Sequence, residues 1–242
     1  MGTYAVAEKH WDEESLSTLP VENGFRLRGL EVTRLDTFVD AAFAFVLTLL
    51  VISFDDIPSN YAEIVATITK IPAFMVSFTV LMAFWLSHRS WSRRYGLENK
   101  ATLVLSLSLI FTILVYVYPL RMVFESMFSW LSDGRLSSTI DIGSPEELPL
   151  LFNFYSGGFL VMSVILALLY EVTLRKKQVL CLSDIEQART KDAVRAWWIC
   201  AGFAVLSLVV ANLMTAIWVT TAGWIYLLLY PTILAVNWLN NR

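Results

Sequence analysis

Cysteine and histidine are scarce in this chain of 242 residues, which contains only two of each. Cys181 and Cys200 lie in a polar segment and in an apolar run, where a structural disulfide is not expected. Neither cysteine has the spacing of a metal or redox motif, and His10 and His88 leave few candidates for histidine-based catalysis. The chain also lacks a phosphate-binding loop and the glycine pattern of a dinucleotide-binding fold. These absences argue against an enzyme and predict no resident cofactor or metal.

Charged residues are also few, at 16% of the chain against 57% hydrophobic residues, whereas soluble domains carry roughly 25% charge. Apolar runs of about 20 residues suffice to cross a bilayer, and the chain predicts an all-α polytopic membrane protein. Six spans are expected, at about 34–54, 64–87, 101–124, 150–170, 194–214 and 220–239. The last two are nearly fused, so we expect the chain to fold back between Asn212 and Gly223.

The basic residues are unevenly distributed among the segments that connect these spans. They concentrate before span 1, between spans 2 and 3 and between spans 4 and 5. The positive-inside rule therefore predicts that both termini, including Arg242, are cytoplasmic. Arg121, Glu125 and Arg135 are assigned to the outer loops. Because the basic residues are divided among loops and form no single face, a nucleic-acid partner is not expected.

Two regions follow from this distribution. Residues 1–28 are predicted to be a flexible cytoplasmic tail, since they contain no long apolar run. Residues 29–242 are predicted to form one six-span membrane domain in contact with the lipid bilayer.

The chain has no TVGYG-like loop, whose backbone carbonyls form the filter of conventional potassium channels. If the protein conducts ions, its pore must be built in another way. Residues at helical spacing in the first span form an apolar stripe with one hydroxyl: Phe38, Ala41, Ala42, Phe45, Thr48, Leu49 and Ile52. Such a stripe can line a constriction that gates by dewetting, or it can be an ordinary helix-packing surface.

Charged residues stand where the first span begins. Asp40 lies about 140° around the helix from Phe45, and a carboxylate at the edge of hydrocarbon needs a protein partner or water. The predicted topology brings Arg34 and Asp40 to the same membrane level as Trp85, His88 and Asn99. These residues are expected to form a polar network that orients the first span, although an interfacial charge can also simply extend to the headgroups.

The pattern Arg34-x-x-x-Phe38-x-Asp40 resembles the Arg-x-x-x-Phe-Ser-Asp signature of the transmembrane protein 175 family of potassium channels. Val39 replaces the signature serine and removes its hydroxyl. The end of the second span, Trp85-x-x-His88, is similar to the Trp-x-x-His of that family. Asn99 matches the asparagine with which the third span of the family opens.

The resemblance implies a bacterial-type homotetramer in the cell inner membrane, with the first span of each subunit lining a central pore. It implies a constriction formed by Phe45, Leu49 and Ile52, a pore-lining hydroxyl from Thr48, and passive conduction of potassium ions. A proton-leak pathway or secondary transporter is the alternative function, and a membrane scaffold without transport is a third.

Overall fold

The structure is a computed structural model that describes residues 11–52, 59–138, 147–214 and 220–240. It is mostly helical, with a short antiparallel pair of strands, β1 (Val21–Glu22) and β2 (Phe25–Arg26), near the N-terminus. The helices are α1 (Glu13–Ser17), α2 (Arg34–Ile52), α3 (Tyr61–Thr69), α4 (Ile71–Tyr95), α5 (Lys100–Leu131), α6 (Leu148–Arg175), α7 (Asp184–Leu213), α8 (Thr221–Trp224) and α9 (Leu229–Asn240). A 3-10 turn, Ile225–Leu228, connects α8 to α9.

Local sequence signals explain where the helices begin and end. Asn99 caps α5 by accepting hydrogen bonds from the first backbone N–H groups of that helix, and Ser183 caps α7 in the same way. Pro72 stands in the first turn of α4, where its missing N–H has no cost. Gly96 ends α4 in the left-handed conformation, with φ of 56°.

Four helical segments within the described residues are long and apolar enough to cross a membrane: Tyr61–Tyr95, Lys100–Leu131, Leu148–Arg175 and Asp184–Leu213. They correspond to predicted spans 2 to 5. Predicted span 1 corresponds to α2, whose 19 residues extend about 28 Å but include three charged residues in the first two turns. Predicted span 6 corresponds to the shorter apolar stretch Thr221–Val236. Residues 215–219, within the predicted fold-back, lie outside the described part of the chain.

The core of the bundle joins α2, α4, α5, α6 and α7. Helix α6 packs against both α5 and α7, while α2 packs against α4 and α5. Fully buried apolar side chains from these helices meet at the centre, among them Leu50, Leu81, Ile113 and Leu166. One side of α2 is therefore held inside the subunit.

The N-terminal segment differs from the predicted flexible tail. Residues 11–28, the described part of that tail, form α1 and the β1–β2 hairpin. Trp11, Leu16, Phe25 and Leu27 are buried, and burial of such side chains stabilises the folded position by roughly 1.5–3 kcal/mol each. These scattered apolar residues are the physical reason why the segment folds onto the bundle.

Candidate pore-lining helix

Helix α2 has one buried face and one exposed face. Val39, Phe43, Val46 and Leu50 are all buried, and their spacing of four, three and four residues places them on one side of the helix. This side packs against α4 and α5. The opposite side is exposed and packs against no other helix among the residues that the structure describes.

The predicted constriction residues lie on or beside the exposed face. Phe45 is 56% exposed and Thr48 is also exposed, whereas Leu49 is half-buried and packs against the core. The side chain of Ile52 lies outside the described residues. The exposed face is therefore centred nearer to Phe45 and Thr48 than to Leu49.

The hydroxyl of Thr48 donates a hydrogen bond to the carbonyl of Phe45, with 2.6 Å between the oxygens. This bond uses the hydroxyl hydrogen within the helix. The lone pairs of Thr48 Oγ1 consequently remain available on the exposed face, where they can accept a hydrogen bond or contact a cation.

Asp40 and Trp85 are brought together by the packing of α2 against α4. Trp85 Nε1 donates to Asp40 Oδ1 at 2.8 Å. The guanidinium of Arg89 lies over the Trp85 ring, with its central carbon 5.2 Å from the ring centroid, which is within the range of a cation–π contact. The aspartate at the start of α2 thus has a partner on α4.

Asp36 makes a second link between these helices. Ser92, on α4, donates its hydroxyl to Asp36 Oδ1 at 2.5 Å. Thr33 donates to Asp36 Oδ2 through its backbone N–H and its hydroxyl, and Asp36 donates its N–H back to the Thr33 hydroxyl. Asp36 is not among the site residues predicted from the sequence, although a threonine followed three residues later by an acid indicates the start of a helix.

The other residues of the predicted network occupy separate positions. Arg34 is exposed and forms no ion pair with any residue that the structure describes, and Phe38 is also exposed. His88 Nε2 lies 2.8 Å from the Ser106 hydroxyl on α5 and is buried. Asn99 caps α5. These side chains lie near one end of the bundle, but they are not joined by one continuous chain of hydrogen bonds in the described residues.

Helix α4 connects this end of α2 to the rest of the bundle. Along the face that carries His88, Trp91 Nε1 donates to the Thr173 hydroxyl of α6 at 2.9 Å. One turn further, the Tyr95 and Thr190 hydroxyls lie 2.8 Å apart, linking α4 to α7. The position of α2 is thus set by α4, which is itself hydrogen-bonded to α5, α6 and α7.

The family model described as "Endosomal/lysosomal potassium channel TMEM175" matches residues 34–119. The match begins at the first residue of α2 and ends inside α5, so it includes the helices that form the contacts described above. Over these residues the chain matches the TMEM175 family. The resemblance to this family that the signature residues indicate is confirmed.

Two similar proteins extend the match over nearly the whole length of the chain. A protein of Marivirga tractuosa named "Potassium channel" is 29% identical over 231 residues, covering 90% of this chain and 91% of the relative. A crystal structure of a variant of the potassium channel MtTMEM175, in complex with a nanobody–MBP fusion protein, matches with a TM-score of 0.78. It is 25% identical, and the match covers 92% of this chain and 99% of that one.

The apolar helices and these matches identify the chain as a membrane protein whose named relatives are potassium channels. The matched region contains every predicted site residue, from Arg34 to Asn99. The exposed face of α2 is therefore the principal candidate for the functional surface.

Proposed function

We propose that four copies of this chain assemble into a potassium-permeable, potassium-selective channel, with α2 of each copy lining the central pore. Both termini are on the cytoplasmic side of a bacterial inner membrane, each subunit crosses the membrane six times, and conduction is passive. The potassium ion is the permeant species, and no cofactor is required.

The observation that carries this proposal is the division of α2 into two faces. A helix that packs on one side within its own subunit, and presents Phe45 and Thr48 on the other, is suited to a symmetry axis. Closed rotational symmetry is the usual arrangement of homo-oligomers. Four exposed faces around an axis then form a ring of Phe45 side chains next to a ring of Thr48 hydroxyls.

The chemistry of this face supports conduction without a TVGYG filter. Bulky apolar side chains at Phe45, Leu49 and Ile52 can close a pore by excluding water. An apolar side chain cannot replace the water around an ion, but the Thr48 oxygen can. We therefore assign the constriction to the apolar residues and contact with the dehydrating ion to Thr48.

The proton-relay alternative through Asp40 and His88 receives less support from the contacts. Asp40 accepts a hydrogen bond from Trp85, while His88 pairs with Ser106. A relay requires a continuous hydrogen-bonded connection between its members, and each of these side chains is engaged with a different partner.

Flux measurements in liposomes test the channel proposal. Phe45→Asn should increase potassium flux by about tenfold or more, because a barrier lower by 1.4 kcal/mol is a tenfold effect and an amide keeps the constriction wet. Leu49→Asn should act in the same direction. Val209→Asn is the matched control, because Val209 is 46% exposed but lies on α7 and not on α2.

Two results would contradict the proposal. The first is an absence of potassium flux through both the native protein and Phe45→Asn. The second is a monomeric mass in detergent, since a single α2 cannot enclose a pore. A coupled, saturable flux of another solute would instead favour the transporter alternative.

A further inference from the structure

Residues 11–28, which we call the N-terminal clasp, dock onto the turn between α6 and α7. Trp11, Leu16 and Phe25 belong to the same hydrophobic core as the helices of the bundle. The Cys181 thiol contacts the Trp11 carbonyl at 3.5 Å, and Arg189 of α7 donates to the Asn23 carbonyl. The clasp is thus attached by both apolar packing and polar contacts.

A buried ion pair lies at the centre of this docking. Arg28 Nη1 and Nη2 donate to Glu186 Oε1 and Oε2 at 2.8 and 3.0 Å, the paired geometry in which arginine holds a carboxylate most firmly. The two side chains are 0% and 1% exposed. Arg28 Nε also donates to the Leu180 carbonyl at 2.9 Å. The guanidinium is therefore bound to both the turn and the first helical turn of α7.

Glu186 joins three parts of the chain. Besides Arg28, it accepts the backbone N–H of Arg26 in β2 at 2.9 Å and the backbone N–H of Ser183 at 2.9 Å. Ser183 is the N-cap residue of α7, and its hydroxyl accepts the Glu186 N–H in return. One carboxylate thus fixes the hairpin, the clasp arginine and the start of α7.

The clasp is connected directly to α2. The Gly29 N–H donates to the Arg93 carbonyl near the end of α4 at 3.0 Å. A Cβ at Gly29 would lie 2.2 Å from the backbone oxygen of Ser92, so only glycine allows this approach. From Gly29 to Arg34, where α2 begins, five residue steps span at most about 18 Å. The docked clasp therefore restricts where α2 can begin.

We propose that Arg28 and Glu186 form a positioning pair for conduction, which holds the N-terminal end of α2 through the docked clasp. This inference rests on the proposed channel function. Release of the pair undocks the clasp from the segment that leads into α2. The bonds of Asp36 and Asp40 to α4 then hold the start of this helix without the clasp, and the exposed face is oriented less strictly about the pore axis. Ion preference falls, because the Thr48 oxygens converge less closely on one point.

Arg28→Lys is the principal test variant, because it keeps the positive charge but loses the paired geometry and the bond to Leu180. Glu186→Gln removes the negative charge of the same ion pair. Arg175→Met is the matched control, since Arg175 has a side chain that is 78% exposed and an ion pair with Glu171 at 3.7 Å. Exposed pairs of this kind contribute little to stability.

Two measurements are made on the purified full-length protein, at equal oligomeric mass. Hydrogen–deuterium exchange reports whether the amides of residues 26–29 lose protection, since these amides are hydrogen-bonded in the docked clasp. Liposome flux reports the ratio of potassium to sodium permeation. In both test variants we expect faster exchange of these amides and a ratio of potassium to sodium permeation that is lower by about threefold or more. A fall of this kind is expected when the conformation with the docked clasp is only partly populated. Neither change is expected in Arg175→Met.

The flux ratio separates positioning from a purely structural role, because a loss of folded channels lowers both fluxes and leaves their ratio unchanged. Faster exchange with an unchanged ratio would overturn the inference, and so would exchange that stays as slow as in the native protein. A native protein that conducts no ions would refute the channel proposal itself, and the positioning inference would fall with it.

Discussion

The contact between α5 and α6 at Gly158 offers a sharp test of the packing of the bundle. A Cβ added to Gly158 would lie 2.2 Å from Cδ2 and 2.8 Å from Cε2 of Tyr116. Real Cβ atoms do not approach a ring so closely, and Tyr116 is only 2% exposed. Its ring is 5.9 Å from that of Tyr155, so it has little room to move. By contrast, a Cβ at the neighbouring Gly157 meets nothing within 4 Å.

The two substitutions Gly157→Ala and Gly158→Ala therefore differ in one term only. Both gain about 1 kcal/mol from the higher helix propensity of alanine. Gly158→Ala alone also suffers overpacking, which costs about 1–3 kcal/mol in a well-packed core. We expect the variants to differ in unfolding free energy by about 1–3 kcal/mol, with Gly158→Ala the less stable.

Thermal unfolding of the two purified proteins in the same detergent measures this difference. A chain of this size shifts its melting temperature by about 2–4 °C per kcal/mol, so Gly158→Ala should melt roughly 2–12 °C below Gly157→Ala. The ratio of potassium to sodium flux should be equal in the two, because the clash is between α5 and α6 and not on α2. Equal melting temperatures would refute the close packing of Gly158 against Tyr116.

Two further substitutions address the ends of α2. Trp85→Phe removes the donor to Asp40 and should destabilise the protein by about 1–2 kcal/mol, measured by thermal unfolding. An unchanged melting temperature would contradict a role for this bond in holding α2. Arg121→Met deprives the buried carboxylate of Glu125 of its cation and should cost about 3–5 kcal/mol, and recovery of that stability in the double variant with Glu125→Gln is expected.

Helical spacing predicts which residues share the face of α2 that carries Phe45 and Thr48. Apolar residues repeat at the period of one helical turn. The signature residues at the start of the helix indicate which of its faces is the candidate pore face. The predicted topology brings the start of the first span to the end of the second, and the hydrogen bond from Trp85 to Asp40 lies there. The exposed location of Arg34 was not anticipated.

Arg121 and Glu125 show where charge alone misleads. The charge pattern predicts outer loops for both, yet they lie inside α5, where Arg121 Nε donates to Glu125 Oε1 at 2.6 Å and both are buried. With 32 residues, α5 extends about 48 Å, well beyond a hydrocarbon core of roughly 30 Å. The spacing of four residues was the available signal, because residues at that spacing are neighbours on a helix.

The N-terminal clasp could not be predicted from its own sequence. Its apolar residues follow neither the helical nor the strand period, so a polar segment with a few hydrophobic side chains is indistinguishable from a tail. The partner of Arg28 is 158 positions away, and such a pairing is decided by tertiary structure. A family of aligned sequences in which positions 28 and 186 vary together would have supplied the missing signal.

The contacts on α2 limit how the candidate pore can change shape. At one end, Asp36 and Asp40 are bonded to α4; at the other, the Leu50 carbonyl accepts a long hydrogen bond of 3.5 Å from Arg121 Nη1. A rotation of α2 alone would have to break bonds at both ends, whereas a movement of α2 together with α4 and α5 would keep them. The structure therefore favours the second kind of movement for any change in the width of the ring at Phe45.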